Sequence, residues 1–175
     1  MPPLFRKLIL AAPFLLAACA THVETPPPAP PPVSPPLSPS ARERAARQVH
    51  VDPVEAAHLI SQYRETRGLG VVTPDPVLQR LAQAQADAMA AHNVLSHTIA
   101  GTLTARFDAA HLAQATAVEN VSAGYFSLPA ALDGWRNSPA HNANLIAPKM
   151  SRLGIATAYA PGTRYLVFWA LDMSN

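Results

Sequence analysis

Two apolar runs near the C-terminus constrain the fold of this chain more than any other feature. RLGIATAYA (residues 152–160) and RYLVFWALDM (residues 164–173) flank the turn signal APGT. Successive residues in each run are apolar, so neither face of the predicted β-hairpin suits water. Strands of this kind are covered on both sides by other elements.

Helical patterns that precede the hairpin provide the covering layers. Each begins with a capping residue, a proline or both, and continues with apolar residues at helical spacing. The predicted helices run from Asp52-Pro53 to Gly68, from Asp75-Pro76 to residues 92–93, over residues 104–112, from a Ser127 cap, and from Ser138-Pro139. The sequence therefore predicts an α+β fold, a three-layer α-β-α sandwich with a mainly antiparallel sheet.

The N-terminal segment has the pattern of an export signal. Arg6 and Lys7 precede an apolar run over residues 8–18, which is shorter than the roughly 20 residues that span a bilayer. The run ends in LAAC, whose Cys19 is the only cysteine of the chain, and this resembles a bacterial lipobox. We predict a lipoprotein signal peptide over residues 1–18 and a membrane anchor through a lipid on Cys19. The alternative is an ordinary secretory signal with an incidental cysteine.

A proline-rich stretch separates this signal from the rest of the chain. TPPPAPPPVSPPLSPS holds many of the chain's 19 prolines, and such composition favours extended polyproline II structure. We assign residues 19–50 to a tether and residues 51–175 to one domain. Because residue 20 is Ala rather than Asp, the expected location in a Gram-negative cell is the periplasmic side of the outer membrane, within the bacterial cell envelope.

The charge of the chain argues against nucleic acid as a partner. The formal net charge is only +2, and no run of Lys and Arg is interleaved with aromatic residues. A monomeric domain is expected.

Three polar side chains stand out in apolar surroundings. His97 lies in NVLSH, Glu119 in TAVENVSAG and His141 in SPAHNANLI. A buried carboxylate needs a charged or hydrogen-bonding partner, and histidines are natural ones. If Ser138 caps a helix, His141 lies near its positive end, where a neutral imidazole is favoured. Taken singly, each residue is better explained by structural hydrogen bonding.

Together, NVLSH, ENVSAG, WRNSPAHNANLI and the aromatic hairpin resemble the bacterial branch of the CAP superfamily. This is the cysteine-rich secretory, antigen 5 and pathogenesis-related 1 group, also called SCP-like extracellular proteins. The resemblance covers about residues 54–173 and implies an α-β-α sandwich with a cleft lined by His97, Glu119 and His141. In some members the cleft binds a divalent metal such as zinc, so the resemblance implies these three residues as metal ligands. The second acidic residue of the animal and plant tetrad has no clear match.

Three functions remain open. The first is an envelope-anchored binding module for a lipid, a cell-wall fragment or a protein, whose cleft also includes Asn120, Ser138 and Asn144. The second is a hydrolase in which Glu119 and a histidine activate water, directly or through a metal; no nucleophile motif appears, and no catalytic residue is assigned. The third is a purely structural role for the histidines.

Overall fold

The computed structural model describes residues 38–175, so Cys19, the predicted signal peptide and most of the predicted tether lie outside the described residues. The described part contains six helices and four strands: α1 (Pro39–Arg47), α2 (Pro53–Glu65), β1 (Thr73–Pro74), α3 (Pro76–His92), α4 (Leu103–Ala109), β2 (Ala117–Ala123), α5 (Leu128–Arg136), α6 (Pro139–Leu145), β3 (Arg152–Tyr159) and β4 (Val167–Ser174). Within residues 38–175, no helix combines the length and apolar character needed to cross a membrane.

The predicted helix starts are confirmed. Asp52 accepts a hydrogen bond from the Val54 amide, and Asp75 accepts from the two amides at the start of α3. Each aspartate satisfies backbone donors that the helix itself leaves unpaired. Asn93 ends α3 in the left-handed conformation, with φ of 49°, and turns the chain toward the segment that carries His97.

The strands form one mixed sheet in the order β1-β3-β4-β2. The terminal hairpin pairs β3 and β4 antiparallel, β2 pairs antiparallel with the other side of β4, and the two-residue β1 runs parallel to β3. Every residue of β4 is buried, which confirms the expectation that the hairpin is covered on both faces. Two strands were not predicted from the sequence: β1 is only two residues long, and β2 coincides with the Glu119 segment, whose polar residues give no clear alternation.

Helices cover both faces of this sheet. One core joins α1, α2, α5 and α6 to alternate residues of β3 and β4, with Trp135 and Trp169 as its largest side chains. A second core lies between α3 and the opposite face, where Ala156, Phe168 and Ala170 contact the small side chains of the helix. The predicted three-layer α-β-α sandwich is therefore confirmed.

The approach of α3 to the sheet depends on Gly154 in β3. A Cβ atom at this position would overlap the backbone of Leu78 and Gln79. The missing side chain lets the first turn of α3 lie directly on the strand, and Gln79 exchanges two hydrogen bonds with the backbone of Ile155, at 2.7 and 3.0 Å. The amide side chain thus acts as a short piece of neighbouring strand and protects the edge of β3.

Helix α1 lies within the range that the sequence analysis assigns to the tether. Its Ala46 is completely buried in the first core, and Glu43 accepts a hydrogen bond from the Tyr159 hydroxyl. Ser38 caps the helix by accepting from the Ala41 amide. The packed structure therefore extends N-terminal of residue 51, because α1 contributes to the core rather than to a spacer.

Candidate functional site

The site is built around β2, which forms one edge of the sheet. Side chains alternate along a strand, so the adjacent residues Glu119 and Asn120 point to opposite faces. Glu119 pairs in register with Asp172 of β4, whereas Asn120 pairs with Leu171. The face of Glu119 is the one that α3 and α4 cover, and Asn120 points toward α6.

On the first face, Glu119 holds His97 in place. Nδ1 of His97 lies 2.7 Å from Oε1 of Glu119, and the carboxylate side chain is only 2% exposed while the imidazole is 58% exposed. The backbone before His97 is fixed by Gln85 of α3, which donates to the carbonyl oxygen of Ser96. The carboxylate therefore orients an imidazole whose other ring nitrogen can face a ligand.

Arg106 of α4 contacts the same carboxylate from inside the domain. Its Nη2 donates to Oε2 of Glu119, its Nη1 lies 3.4 Å from Oδ2 of Asp172, and its Nε donates to the carbonyl oxygen of Gly101 at 3.3 Å. The Arg106 and Asp172 side chains are 5% and 0% exposed. Arg106, Glu119 and Asp172 thus form a buried ion cluster, which we call the β2–β4 ion cluster.

Asp172 lies in a part of this cluster where a negative charge is unfavourable. Burial, and secondarily the neighbouring Glu119 carboxylate, raise the pKa of Asp172 to about 7, although Arg106 acts in the opposite direction. Its Oδ1 is buried and has no hydrogen-bond partner among the described residues. One cation close to two carboxylates leaves this cluster with an unbalanced charge unless a proton is bound.

On the second face, neutral hydrogen bonds connect β2 to α6. Asn144 donates to the carbonyl oxygen of Glu119 at 2.8 Å and to Oδ1 of Asn120 at 2.9 Å. Asn120 in turn donates to the carbonyl oxygen of His141 at 3.0 Å. One of these bonds pairs a backbone carbonyl of β2, and together the amides fix α6 and His141 beside the strand.

His141 is held in the neutral form. Its Nδ1 lies 2.9 Å from Oγ of Ser138, which occupies the predicted N-cap position of α6 but makes no side-chain hydrogen bond to the helix backbone. Burial, followed by the charge of His97, lowers the pKa of His141, and a backbone contact with Val121 acts in the opposite direction. The lowered pKa agrees with the neutral imidazole expected from the sequence, and burial is its main cause, followed by His97.

A buried arginine on α2 holds the other end of α6. Arg64 is 1% exposed and has four backbone carbonyl acceptors instead of a carboxylate. Two of them, in Leu145 and Ala147, lie at the C-terminal end of α6, where a cation is favourable, at 2.9 Å each. The remaining two belong to Met150 and Gly70. Arg64 and Asn144 together fix the helix that carries His141.

The predicted site residues separate into two pairs. Glu119 contacts His97, whereas His141 contacts Ser138. Ser138, His141 and Glu119 therefore do not form a Ser-His-Glu arrangement, because Ser138 and Glu119 contact different histidines.

The residues do not fit a metal that is bound directly by Glu119. Oε1 of this carboxylate is engaged by His97 and Oε2 by Arg106, so neither oxygen is free for a cation. Within residues 38–175, no group of three His, Cys, Asp or Glu side chains has a geometry that could hold a metal ion. The ligand set His97, His141 and Glu119 therefore remains a prediction that this arrangement disfavours.

The sequence reasoning missed Arg106, Asp172 and Arg64. Arg106 lies in a predicted helix, where an arginine ordinarily faces solvent. Asp172 carried a usable signal, because a charge inside an apolar strand that is buried on both faces must be paired or protonated. Arg64 gave no signal, because its partners are backbone carbonyls and three of the four are distant in sequence.

The α-β-α sandwich, with His97 and Glu119 in contact at an edge strand, fits the class of CAP domains that the sequence resembles. The family model for the cysteine-rich secretory protein family matches residues 57–173. Because the match covers most of the chain, this protein belongs to the CAP family. No functionally curated protein matches the sequence.

Solved bacterial structures have a similar fold. An extracellular protein containing an SCP domain from Bacillus anthracis shares 26% identity at a TM-score of 0.61 over 80% of this chain, and this chain spans 44% of that protein. An outer surface protein from Borrelia burgdorferi has 18% identity and a TM-score of 0.61 over 73% of this chain and 97% of its own. A cysteine-rich secretory protein from Staphylococcus aureus has 16% identity and a TM-score of 0.58 over 70% and 37%. At these last two identities the likeness concerns the fold alone.

Proposed function

We propose that this protein is an envelope-anchored binding module that takes a lipid, a cell-wall fragment or a protein segment into the cleft between His97 and His141. Membership of the CAP family and the description of the Bacillus anthracis relative as extracellular support a location outside the cytoplasm. The lipobox-like LAAC sequence supports an anchor on Cys19.

One observation favours binding over hydrolysis. The Glu119 carboxylate is 2% exposed and both of its oxygens contact cationic or hydrogen-bonding side chains of the protein itself. A general base must reach the proton that it removes, so a carboxylate engaged in this way acts on His97 rather than on water or substrate. The side chains that a ligand could contact are the exposed imidazole of His97 and the partly exposed imidazole of His141.

The binding test uses two probes on the Cys19→Ser protein, so that no acyl anchor contributes. Vesicles of phosphatidylethanolamine and phosphatidylglycerol represent the lipid, and isolated peptidoglycan represents the wall. We expect the protein to sediment with one of the two probes. His97→Ala and His141→Ala should each bind that probe about tenfold or more weakly, because each loses one polar contact and a tenfold change in affinity corresponds to roughly 1.4 kcal/mol.

His58→Ala is the matched control, since His58 is an exposed histidine on α2, outside the cleft. Unchanged sedimentation in both cleft variants would place the binding elsewhere on the protein. If the protein sediments with neither probe, a protein segment is the only one of the three ligand classes that is left. Crosslinking through a photoreactive residue at position 97 would then have to detect such a partner.

The anchor has its own test. Several acyl chains at about 0.8 kcal/mol per buried CH₂ hold a protein stably on a membrane, so the unmodified chain should fractionate with membranes and Cys19→Ser should be released. Retention of Cys19→Ser in the membrane fraction would contradict acylation. In a Gram-negative host, Ala20 leads us to expect the outer-membrane fraction.

A further inference from the structure

Two carboxylates face each other on the buried side of the sheet. Glu119 and Asp172 are register partners on β2 and β4, and their side chains are 2% and 0% exposed. Residues directly opposite in an antiparallel pair have Cβ atoms about 5 Å apart, and like charges at such positions repel. This part of the sheet therefore needs a cation or a bound proton close to the two carboxylates.

Arg106 supplies that cation from α4. The guanidinium donates through Nη2 to Glu119 and approaches Asp172 with Nη1, while Nε is held by the carbonyl oxygen of Gly101. The planar fork of an arginine can contact two carboxylates at once, which the point charge of a lysine cannot do with the same geometry. The 5% exposure of the Arg106 side chain shows that it is part of the interior.

We infer that Arg106 takes the place of a divalent cation in this CAP domain, and that its guanidinium is the resident counterion of Glu119 and Asp172. The domain then needs no metal for its fold or for the orientation of His97. This inference concerns only the contacts of the β2–β4 ion cluster and does not depend on the proposed binding function.

Removal of the guanidinium should convert the cluster into a metal site. Without Arg106, one oxygen of Glu119 loses its partner, and Oδ1 of Asp172 already lacks one among the described residues. The imidazole of His97 lies against the same Glu119 carboxylate. Two carboxylates and one imidazole are a donor set that Zn²⁺ and Co²⁺ accept.

The experiment compares metal binding by the full-length protein, Arg106→Ala and Arg106→Ala/Asp172→Asn at pH 7. Zn²⁺ binding is measured by titration calorimetry, and the absorption of bound Co²⁺ reports the coordination geometry. Residue 19, the predicted lipid attachment site, is the same in all the proteins compared. We expect Arg106→Ala to bind Zn²⁺ about 100-fold more tightly than the unmodified protein, and the double variant to lose at least about tenfold of that gain. Asp172→Asn alone, with Arg106 present, should leave Zn²⁺ binding unchanged.

Folding is measured in the same samples because Arg106→Ala leaves two buried carboxylates without a cation. A ligand that binds the folded state stabilises it, so Zn²⁺ should raise the Tm of Arg106→Ala, or restore its circular dichroism if it is unfolded without metal. Arg106→Lys keeps a cation and should fold with no gain in affinity.

Three results would overturn the inference. The first is tight Zn²⁺ binding by the unmodified protein that Asp172→Asn abolishes, since the metal would then displace Arg106. The second is a folded Arg106→Ala protein with no gain in affinity. The third is an Arg106→Ala protein that stays unfolded at every Zn²⁺ concentration.

Discussion

The two sides of strand β2 bury polar groups by different means. Toward α3 and α4, Glu119 belongs to an ion cluster that contains Arg106 and Asp172. Toward α6, the adjacent Asn120 belongs to a network of neutral amides that ends at His141. One strand thus positions two histidines, His97 through charge and His141 through hydrogen bonds without formal charge.

This difference decides how each side should respond to a change. A buried charge that loses its partner keeps its full desolvation cost, whereas a neutral amide that loses one hydrogen bond costs much less. The ionic side should therefore be sensitive to single substitutions and to pH. The neutral side should tolerate single substitutions better, although the same strand supports the two networks.

The largest effect is expected on the ionic side, from Arg106→Ala without added metal. Loss of the guanidinium leaves Glu119 and Asp172 facing each other in the interior, which should lower the free energy of unfolding by about 3–5 kcal/mol. Urea denaturation measures this change. Arg80→Ala, at an exposed position of α3, is the control and should stay within about 0.5 kcal/mol. A similar small loss in both variants would show that the cluster carries no net stability.

The second effect is a pH dependence that belongs to the ionic side. Asp172 has a higher pKa in the folded state than its ordinary value of 3.8, so it binds a proton more tightly when the protein is folded. Its stabilising contribution is complete below pH 3.8 and is lost as the pH rises to about 7. Relative to Asp172→Asn, the unmodified protein should lose at most roughly 4 kcal/mol of unfolding free energy across this range.

His141 changes stability in the opposite direction, which is why the comparison with Asp172→Asn is needed. The lowered pKa of His141 means that its contribution is complete above its ordinary value of 6.5 and is lost as the pH falls below it. Both proteins contain His141, so the difference between them isolates Asp172. Asp133→Asn, at a side chain that is 68% exposed, is the control. A difference that stays constant from pH 4 to 7 would contradict the raised pKa of Asp172.

A smaller effect is expected on the neutral side, from Asn144→Ala. This substitution removes the bonds to the Glu119 carbonyl oxygen and to Asn120, and we expect a loss of about 1–3 kcal/mol by thermal or urea denaturation. Asn137→Ala changes an exposed amide at the end of α5 and serves as the matched control. A loss as large as that of Arg106→Ala would remove the distinction between the two sides.

Features that depend on local sequence could be predicted, whereas the contacts on the two sides of β2 could not. Helix starts at Asp52 and Asp75 depend on local chemistry, and the terminal hairpin depends on a continuous apolar pattern, so both could be predicted. His97, Glu119 and His141 were recognised because polar side chains in apolar segments are unusual. The structure confirms the fold and shows that these three residues lie around one strand.

The partners of Glu119 could not be predicted in the same way. Arg106 and Asp172 are 13 and 53 positions away in sequence, and only the pairing of β2 with β4 and the position of α4 bring them together. The β2 segment itself has no clear alternation, because one of its faces holds a charged residue and the other holds an amide. One of the two Asn144 bonds is likewise directed to a backbone atom of β2, the carbonyl oxygen of Glu119, which no side-chain pattern indicates.

The central claim is that charge couples Glu119 to the domain interior and that neutral bonds couple its neighbour to α6. Two double-mutant cycles measured by urea denaturation test it most directly, one for Arg106 with Glu119 and one for Asn120 with Asn144, each with alanine. We predict a coupling energy of at least about 2 kcal/mol for the ionic pair and about 1 kcal/mol or less for the amide pair. Equal coupling energies, or no coupling between Arg106 and Glu119, would contradict this account.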